Sequence, residues 1–445
     1  MRQVTDRKRR DHGGVARSPG GTCVCLLRVP CSPGVHLQGG ACPLRLLSVL
    51  VGGRQLRARA LPRNRRSFPE WRNEVKIKRH SAALGFLAAG TLVLSACGSD
   101  QNVPQGGGNP ALDAIQVQCG TKPVSAEGSS AQKSAMDVFA RDYGLKCADQ
   151  KLNYTKSGSG KGVAAFTAGQ IDFGGSDSPL SDEKGEVAAA AQRCQGNPAW
   201  NIPMVFGPIA ISYNIPGVND LALSPDLISK IYQGQIKKWN DPAIAALNPG
   251  KQLPDLDIVP FFRSDESGTS DNFQKYLNTA TNGAWTGEGK QFRPGPGVGQ
   301  GRDGSDQVAQ SVKATPGGIT YVEWSFPKNL GLGIAKIDSG AGPVELNTAN
   351  VGKAIEGAKI EGQGNDLKVD LDSIYGNKAA GVYPVVLNTY EIVCSKGYDP
   401  ETAKAVKAVL TVAANANPQE LEKAGYVPLP EAFKTKVLDA VNAIS

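Results

Sequence analysis

The sequence predicts an α/β protein with two lobes that are joined by two hinge segments. One observation is a repeated junction at which a strand runs into a Gly/Ser-rich turn and then into a helix. The other is a pair of long apolar segments, 202–215 and 382–393, which are typical of buried strands and bracket an internal block. The chain would cross twice between lobe 1, at 111–204 plus 388–445, and lobe 2, at 205–387. Hinge closure around a ligand follows from such a layout.

The N-terminal part of the chain differs in charge from the rest. Residues 1–96 hold 18 Lys and Arg against 4 Asp and Glu, whereas residues 97–445 hold 31 against 37. The basic excess therefore belongs to the N-terminal part and is no sign of nucleic-acid binding by the body. We expect no nucleic-acid partner.

Residues 76–97 predict export. A basic start is followed by an apolar run of roughly 12 residues and by small residues, as in a secretory signal peptide. The run is shorter than the stretch of about 20 residues that a transmembrane helix needs. Leu94-Ser95-Ala96-Cys97 resembles the lipobox of bacterial lipoproteins. That pattern implies a signal peptide at 75–96, cleavage before Cys97 and lipid attachment to the Cys97 thiol.

The segments on either side of the signal peptide lack a regular pattern. Residues 97–110 are rich in Gly, Asn, Gln and Pro, which predicts a flexible tether. Residues 1–74 are rich in Arg, Gly and Pro and show no sustained helix or strand period. We expect 1–74 to be a non-native or disordered extension from an over-long start assignment, with Val75 as the initiating residue. A basic cytoplasmic arm is the alternative.

Cysteine usage agrees with an exported body. After Cys97, four cysteines remain, and an even number in an exported body predicts two disulfides. Three pairings are possible. We favour Cys119–Cys147, which would close a local helix and loop, and Cys194–Cys394, which would tie the C-terminal return of the chain to lobe 1.

Histidine is absent from the body, because all three histidines precede residue 97. This excludes a Ser-His-Asp triad, a histidine general base and any histidine-ligated zinc or iron site in residues 97–445. No metal-like cysteine spacing is present either. We expect no metal, no cofactor and no enzymatic activity.

The first three junctions follow one another near the start of the body. After a strand candidate at 115–118, the stretch 126–132 opens a helix that Ser129 or Ser130 can cap. A strand at 152–154 then leads through a Gly/Ser turn into a second helix. A third strand, at 171–173, ends in another Gly/Ser turn.

The fourth junction carries the clearest chemical signal. An apolar run at 258–262 predicts a buried strand, and a helix pattern follows at 273–277. The first N–H groups of a helix have no partner within it, and the helix dipole places partial positive charge there. Ser267 and Thr269 add hydroxyls, and the Arg263 guanidinium suits a tetrahedral oxyanion. Taken alone, the stretch fits a capped helix with a surface arginine equally well.

Helix N-termini converge at the carboxyl ends of the strands in open α/β sheets, and ligands bind there. Glycine lets the backbone approach a ligand closely, and serine offers a hydroxyl without net charge. Repeated Gly/Ser helix starts therefore favour an anion site that is built largely from neutral donors.

These junctions resemble those of the phosphate-binding proteins of the bacterial phosphate-specific ABC transporter. The segments that carry the resemblance are G-S-S-A at 128–131, G-S-G-K-G at 158–162, D-F-G-G-S-D-S-P-L at 172–180, R-S-D-E-S-G-T-S at 263–270 and T-P-G-G-I-T-Y-V-E at 315–323. The resemblance implies a type II periplasmic-binding-protein fold that captures one inorganic phosphate between its lobes. It also implies a lipid anchor on the extracytoplasmic face of the cell membrane and delivery to two permease subunits with a cytoplasmic ATPase.

The resemblance further implies a set of phosphate contacts. They are Ser130, Ala131, Ser159, Asp177, Arg263, Ser267, Gly268 and Thr269. Ala131 would contribute its backbone N–H, at a position where the family often has an aromatic residue. Asp265 would hold Arg263 in place.

Asp177 is the one acidic group in this set. A carboxylate in a dry anion site favours only a ligand that carries a proton to donate, as phosphate does near neutral pH and sulfate does not. An unpaired buried polar group costs about 1–3 kcal/mol, and more when it is charged. Asp177 would thus reject sulfate. From the residues alone, an Asp that caps its own turn is the simpler interpretation.

Other functions fit the sequence less well. A serine acyl-enzyme is suggested by S-x-x-K at 130–133, K-S-G at 156–158 and S-D-N at 270–272, but the last two occur in exchanged order. A P-loop would need glycine at position 155, which is Thr155. A phosphatase would need a metal cluster or a nucleophile with a base. Binding of another oxyanion, such as sulfate or molybdate, stays open.

Overall fold

The computed structural model describes residues 112, 114–148 and 150–445. The predicted extension at 1–74, the signal peptide at 75–96 and the lipidation site Cys97 lie outside the described residues, as does the tether at 97–110. Within the described part of the chain, no helix combines the length and apolar character needed to cross a membrane.

The structure alternates strands and helices along most of the chain. The strands are β1 (Val124–Gly128), β2 (Leu152–Thr155), β3 (Phe173–Ser176), β4 (Ala199–Asn214), β5 (Ala222–Leu223), β6 (Val259–Arg263), β7 (Gln300–Arg302), β8 (Gly318–Glu323), β9 (Gly333–Ile334), β10 (Lys336–Asp338), β11 (Pro343–Val344), β12 (Lys359–Ile360), β13 (Val369–Asp370), β14 (Val386–Cys394) and β15 (Val427–Pro428). The helices are α1 (Lys133–Lys146), α2 (Ser159–Thr167), α3 (Glu186–Arg193), α4 (Pro225–Tyr232), α5 (Pro242–Leu247), α6 (Gly268–Ala280), α7 (Gly304–Ala314), α8 (Ser325–Leu330), α9 (Thr348–Ile355), α10 (Asp372–Tyr375), α11 (Pro400–Ala414), α12 (Pro418–Lys423) and α13 (Glu431–Ala443).

A large mixed sheet carries most of these elements. Its strand order is β2-β1-β3-β14-β4-β8-β6-β7, and β9 and β15 also pair with β4. The strands β2, β1 and β3 are mutually parallel, as are β8, β6 and β7. In contrast, β14 is antiparallel to β3 and β4, and β4 is antiparallel to β8. The parallel strands place helix N-termini at their carboxyl ends, as the α/β prediction requires.

The strand β4 belongs to both halves of this sheet. Residues 199–208 pair with β14, and residues 209–214 pair with β8. Both predicted apolar segments are strands, since β4 is buried except at its ends and β14 is buried throughout. The partner of β4 changes four residues beyond the predicted boundary at 204/205. The division into lobe 1 and lobe 2 stays a prediction, and both names are kept below for the predicted ranges.

Separate apolar clusters support the two halves of the sheet. The helices α1, α11 and α13 pack together and bury Met136, Val406 and Val437. The other cluster includes Phe273 of α6 and Tyr321 of β8, whose rings stack with centroids 4.3 Å apart. The long helix α11 begins with a local capping signal. The Asp399 side chain accepts hydrogen bonds from the backbone of the first turn, and proline occupies the first helical position.

The start of the body differs from the prediction. Residues 115–118 form no strand, and the first strand is instead β1, whose last three residues overlap the stretch 126–132 that we expected to open a helix. The first described long helix, α1, begins at Lys133, and its N-cap Gln132 makes no side-chain cap. Neither Ser129 nor Ser130 caps it. The pairing of β1 with β2 and β3 is non-local, so the local pattern did not reveal it.

Disulfides join Cys119 to Cys147 and Cys194 to Cys394, which is the pairing that the sequence favoured. The first pair is separated by 28 residues and the second by 200 residues. The second bond connects the end of α3 to the last residue of β14. It therefore fixes the return of the chain beside the segment that leads into β4.

Candidate anion-binding site

The predicted contact residues lie at the junctions between strands and helices, and they are buried. At most 2% of the surface of each of these residues is exposed: Ser130, Ala131, Ser159, Asp177, Arg263, Ser267 and Thr269. Gly268 is buried as well. The turn after β1, the start of α2, the turn after β3 and the start of α6 thus meet in one enclosed region.

Asp177 connects three of these elements. Its backbone N–H donates to Ser159 Oγ at 3.2 Å, and its carboxylate Oδ2 accepts from Thr269 Oγ1 at 3.1 Å. Its backbone carbonyl accepts from Asn272 Nδ2 at 2.7 Å. The second carboxylate oxygen, Oδ1, is buried and has no hydrogen-bond partner among the described residues. Oδ1 is therefore an acceptor that no described group satisfies within hydrogen-bond geometry, although the Ser129 hydroxyl is near enough to lower the Asp177 pKa.

The Asp177 carboxyl group is affected by its burial. Burial raises the pKa of Asp177 to about 6, against the opposing influence of the Ser129 hydroxyl, the Arg263 charge and the Thr269 and Ser159 hydroxyls. Near neutral pH the group is therefore still mainly an anion. A buried anionic acceptor of this kind is best matched by a ligand that brings its own O–H donor.

Arg263, at the end of β6, is held from two sides. Its Nε and Nη2 donate to the two carboxylate oxygens of Asp265 at 2.7 and 2.5 Å, and its Nη1 donates to Ser305 Oγ at 3.1 Å. A guanidinium has five N–H donors, so one N–H remains on each terminal nitrogen. This pair of donors suits two oxygens of a tetrahedral anion.

Asp265 has the role that the resemblance implied, since it holds the Arg263 side chain. It also accepts a hydrogen bond from the Gly304 backbone N–H at 3.1 Å. Burial acts to raise the pKa of Asp265, but the hydrogen bonds and charge of Arg263 and the Gly304 N–H lower it below its ordinary value. Asp265 is therefore an anion that neutralises part of the Arg263 charge.

The start of α6 approaches lobe 1 very closely. The N-cap Ser267 accepts from the Ser270 backbone N–H at 3.2 Å, which leaves the Gly268 and Thr269 amides in the unpaired first turn. A Cβ on Gly268 would lie 2.6 Å from Asp177 Cβ and 2.7 Å from Ser159 Oγ. Only glycine allows this approach without displacement.

The turn after β1 is organised differently from the prediction. The Ala131 backbone N–H, which the resemblance implied as a phosphate donor, donates to Ser129 Oγ at 3.1 Å. Ser130 Oγ lies 2.9 Å from Ser305 Oγ and accepts from the Ser305 backbone N–H at 3.1 Å. Ser130 thus contacts lobe 2 directly through hydrogen bonds, whereas the Ala131 N–H is already used within its own turn.

Two functional candidates were missed by the sequence analysis. Ser305 contacts both Ser130 and Arg263, and Asn272 links the Asp177 and Gly268 carbonyls. The signal for Ser305 was a further Gly-Ser helix start at 304–305.

Contacts beyond the site also join the predicted lobes. The Gly160 backbone N–H donates to the Glu266 carbonyl at 3.0 Å, and the buried Lys290 ammonium pairs with Glu186 at 2.9 Å. A cavity of about 680 Å³ lies beside these contacts, lined by residues of both lobes that include Pro179 and Gly289. The two predicted ranges are therefore in direct contact on this side of the site.

The residues of the acyl-enzyme motifs have other partners. Lys133, which would be the base of S-x-x-K, pairs with Asp137 on the surface of α1. Ser130 has Ser305 as its partner, and Ser270 Oγ lies 2.6 Å from the Tyr321 hydroxyl. Among the described residues, no group of three or more His, Cys, Asp or Glu side chains is placed to hold a metal ion.

The chain matches a family model and is similar to known phosphate-binding proteins over most of its length. A model of the PBP superfamily domain matches residues 99–417. The phosphate-binding protein PstS 3 of Mycobacterium tuberculosis (strain ATCC 25618 / H37Rv) is 50% identical over 375 residues, which cover 83% of this chain and 100% of that protein. PstS 3 of Mycobacterium leprae (strain TN) is 49% identical with the same coverage, 83% and 100%.

A solved structure extends the likeness to the fold. The phosphate-binding protein from Stenotrophomonas maltophilia matches with a TM-score of 0.55 and 20% sequence identity. The match covers 72% of this chain and 94% of that one. It is evidence for the periplasmic-binding-protein architecture that the sequence segments implied.

Proposed function

The chain belongs to the PBP superfamily and, within it, to the family of PstS phosphate-binding proteins, and from this premise we propose that it binds inorganic phosphate between its two lobes. The bound phosphate would be handed to a membrane permease for import. The relatives in this family are named for phosphate binding. The buried donors and the single carboxylate of the site support the same ligand for this chain.

The observation that carries the proposal is the unpartnered Oδ1 of Asp177. A buried charged acceptor without a partner is unfavourable, and a ligand that donates a hydrogen bond to it removes that cost. Phosphate near neutral pH keeps at least one P–OH group, whereas sulfate has none. The acceptor therefore favours phosphate and opposes sulfate.

The remaining groups supply donors to an anion. Arg263 keeps one N–H on each terminal nitrogen after its contacts with Asp265 and Ser305. Ser159 Oγ accepts from the Asp177 backbone N–H and also lies close enough to the Asp177 carboxylate to lower its pKa, so it adds a hydroxyl at the same place. The first turn of α6 adds backbone N–H groups and the positive end of a helix dipole. Together they would stabilise a bound phosphate mainly through hydrogen bonds and the helix dipole, because the charge of Arg263 is already paired with Asp265.

We further propose that the protein acts at the extracytoplasmic face of the cell membrane, anchored by lipid on Cys97. Its partners would be two permease subunits with a cytoplasmic ATPase, and the protein itself would have no catalytic step. The lipobox at 94–97 supports the anchor. Replacement of Cys97 by Ser is expected to abolish labelling by a fatty acid and to release the protein from membranes; a membrane-bound Ser variant would contradict the anchor.

The proposal is tested by calorimetric titration of residues 98–445, the part of the chain that follows the predicted lipidation site, after removal of bound ligand. Phosphate is added first and sulfate second, both at neutral pH. We expect tight one-to-one binding of phosphate and no response to sulfate. Equal binding of sulfate would contradict the role of Asp177, and no response to either anion would contradict the proposed function.

A further inference from the structure

Ser305 is a buried serine that connects the arginine of the site to a serine of the opposite lobe. We propose that Ser305 is a positioning residue for anion binding, which directs the hydroxyl proton of Ser130 toward the ligand when the lobes close. This inference rests on the proposed function. It assigns a role to a residue that neither the sequence pattern nor the resemblance singled out.

The contacts of Ser305 are short and enclosed. Ser305 is the second residue of α7, and its exposed fraction is 0%. Its Oγ accepts from Arg263 Nη1 at 3.1 Å and lies 2.9 Å from Ser130 Oγ. Its backbone N–H donates to the same Ser130 Oγ at 3.1 Å. Ser305 therefore uses both a main-chain and a side-chain group on Ser130.

The direction of these hydrogen bonds follows from the chemistry of the groups. A guanidinium only donates, so Ser305 Oγ is the acceptor toward Arg263 and keeps its own proton for another partner. The nearest partner is Ser130 Oγ, which then receives both the O–H and the N–H of Ser305. A hydroxyl has two acceptor positions and one proton. With both acceptor positions filled, Ser130 has only its proton left, and it acts as a donor to an anion.

The geometry of Ser305 is fixed by the same carboxylate that fixes Arg263. Asp265 accepts from the Gly304 N–H as well as from the guanidinium. The first turn of α7 and the Arg263 side chain are therefore held together on lobe 2. Ser130 lies on lobe 1, so its bonds to Ser305 form only when the two ranges meet. Loss of the hydrogen bonds between Ser130 and Ser305 should mainly increase the rate at which phosphate dissociates from the closed state.

The test compares Ser305→Ala and Ser305→Cys with the wild-type Gly98–Ser445 unit. Phosphate Kd is measured by calorimetry, and dissociation is followed by stopped-flow tryptophan fluorescence. We expect both variants to bind phosphate about tenfold more weakly, through faster dissociation, as for the loss of one charge-linked hydrogen bond. The matched control is Ser311→Ala in the same helix, where Ser311 accepts from Arg302 Nε. Its Kd is expected to stay within about twofold of wild type.

A double-mutant cycle separates positioning from general destabilisation. If Ser305 acts through Ser130, the variant with both residues changed to Ala should bind only about threefold more weakly than Ser130→Ala alone. Fully multiplicative losses, or an unchanged Kd in Ser305→Ala and Ser305→Cys, would overturn the proposal. Wild-type protein that does not bind phosphate would instead overturn the proposed function, so the two failures are distinct.

Discussion

Gly268 and Asp177 are in such close contact that a Cβ on Gly268 would lie 2.6 Å from the Cβ of Asp177. The two residues belong to opposite predicted lobes, at the start of α6 and in the turn after β3. Their contact places the Asp177 side chain against the first turn of the helix, where Thr269 Oγ1 donates to Asp177 Oδ2. The missing side chain of Gly268 is therefore part of what lets the two lobes meet around the site.

Replacement of Gly268 by Ala should hinder closure without harming either lobe. The added methyl group meets backbone and Cβ atoms of Asp177, which cannot move aside as a flexible side chain would. We expect phosphate affinity to fall by about a hundredfold or more, roughly 3 kcal/mol, as measured by calorimetry. The control is Gly352→Ala in α9, where nothing lies within 4 Å of the added atom. Equal affinity of Gly268→Ala and wild type would contradict a closed binding state.

Replacement of Asp177 by Asn should weaken phosphate binding and relax discrimination against sulfate. The amide can donate to an anion, and it accepts the phosphate proton less strongly than a carboxylate does. We expect phosphate Kd to rise by about 10- to 100-fold and sulfate binding to become measurable. Titration with both anions checks this, with the exposed Asp182→Asn as the control in the same loop. Unchanged selectivity would remove Asp177 from its assigned role.

The raised pKa of Asp177 makes an independent prediction for stability. The pKa lies near 6 in the folded protein and at 3.8 in an ordinary carboxyl, because burial disfavours the charged form. The folded state thus binds the Asp177 proton more tightly than the unfolded state does. The contribution of this group to the free energy of unfolding is therefore present at low pH and is lost as pH rises through about 6.

Urea unfolding of ligand-free protein between pH 4 and pH 7.5 measures this effect. Relative to Asp177→Asn, the wild type should lose about 3 kcal/mol of unfolding free energy across this range. Burial also raises the pKa values of Glu323 and Glu391, and the charge of Asp177 raises them further, so the comparison with Asp177→Asn reports the titration of the three coupled carboxyl groups together. A difference between the two proteins that does not vary with pH would contradict the assignment.

Replacement of Arg263 by Ala should lower phosphate affinity more than Ser130→Ala or Ser159→Ala does. The change removes the two remaining N–H donors and the positive charge, and it leaves the buried Asp265 carboxylate without its main partner. We expect at least a hundredfold loss of affinity, against about tenfold for either serine. Arg263→Lys should lie between them, because an ammonium cannot bind two oxygens in the same plane. Calorimetry of the four variants gives the order, and a serine variant weaker than Arg263→Ala would contradict it.

The two disulfides should contribute unequally to stability. In the chain-entropy view, a bond across 28 residues is worth about 3.5 kcal/mol and one across 200 residues about 5 kcal/mol. We expect the double change Cys194→Ala with Cys394→Ala to lower the urea midpoint more than the corresponding change of Cys119 and Cys147. The reverse order would show that strain or residual structure in the unfolded chain outweighs loop length.

The sequence correctly predicted those elements whose local residue pattern matches their environment in the folded protein. The long apolar runs predicted β4 and β14, and the Gly/Ser start of α2 was placed correctly. The strand β1, with sequence V-S-A-E-G, has a single β-branched residue and becomes a strand only through its neighbours. The strand conformation of β1 depends on its pairing with β2 and β3, which the local sequence pattern does not indicate.

The residues of the candidate site were likewise predicted only in part from the sequence. Residue chemistry suggested an anion site at Arg263 and the first turn of α6, although a capped helix with a surface arginine fitted the same residues equally well. Asp177 was not suggested in this way, because an Asp after Gly and Ser is as typical of a turn as of a ligand contact, and only the resemblance indicated its role. The role of Ser305 became clear only from the folded structure. It depends on contacts with Ser130 and Arg263, which lie 175 and 42 positions away in the sequence.

The disulfide between Cys194 and Cys394 also couples folding to export. Disulfides of this kind do not persist in a reducing cytoplasm. A precursor that has not yet crossed the membrane would therefore lack both cross-links and the stability that they provide. The folded state would thus be less favoured before export than on the side where the proposed function captures phosphate.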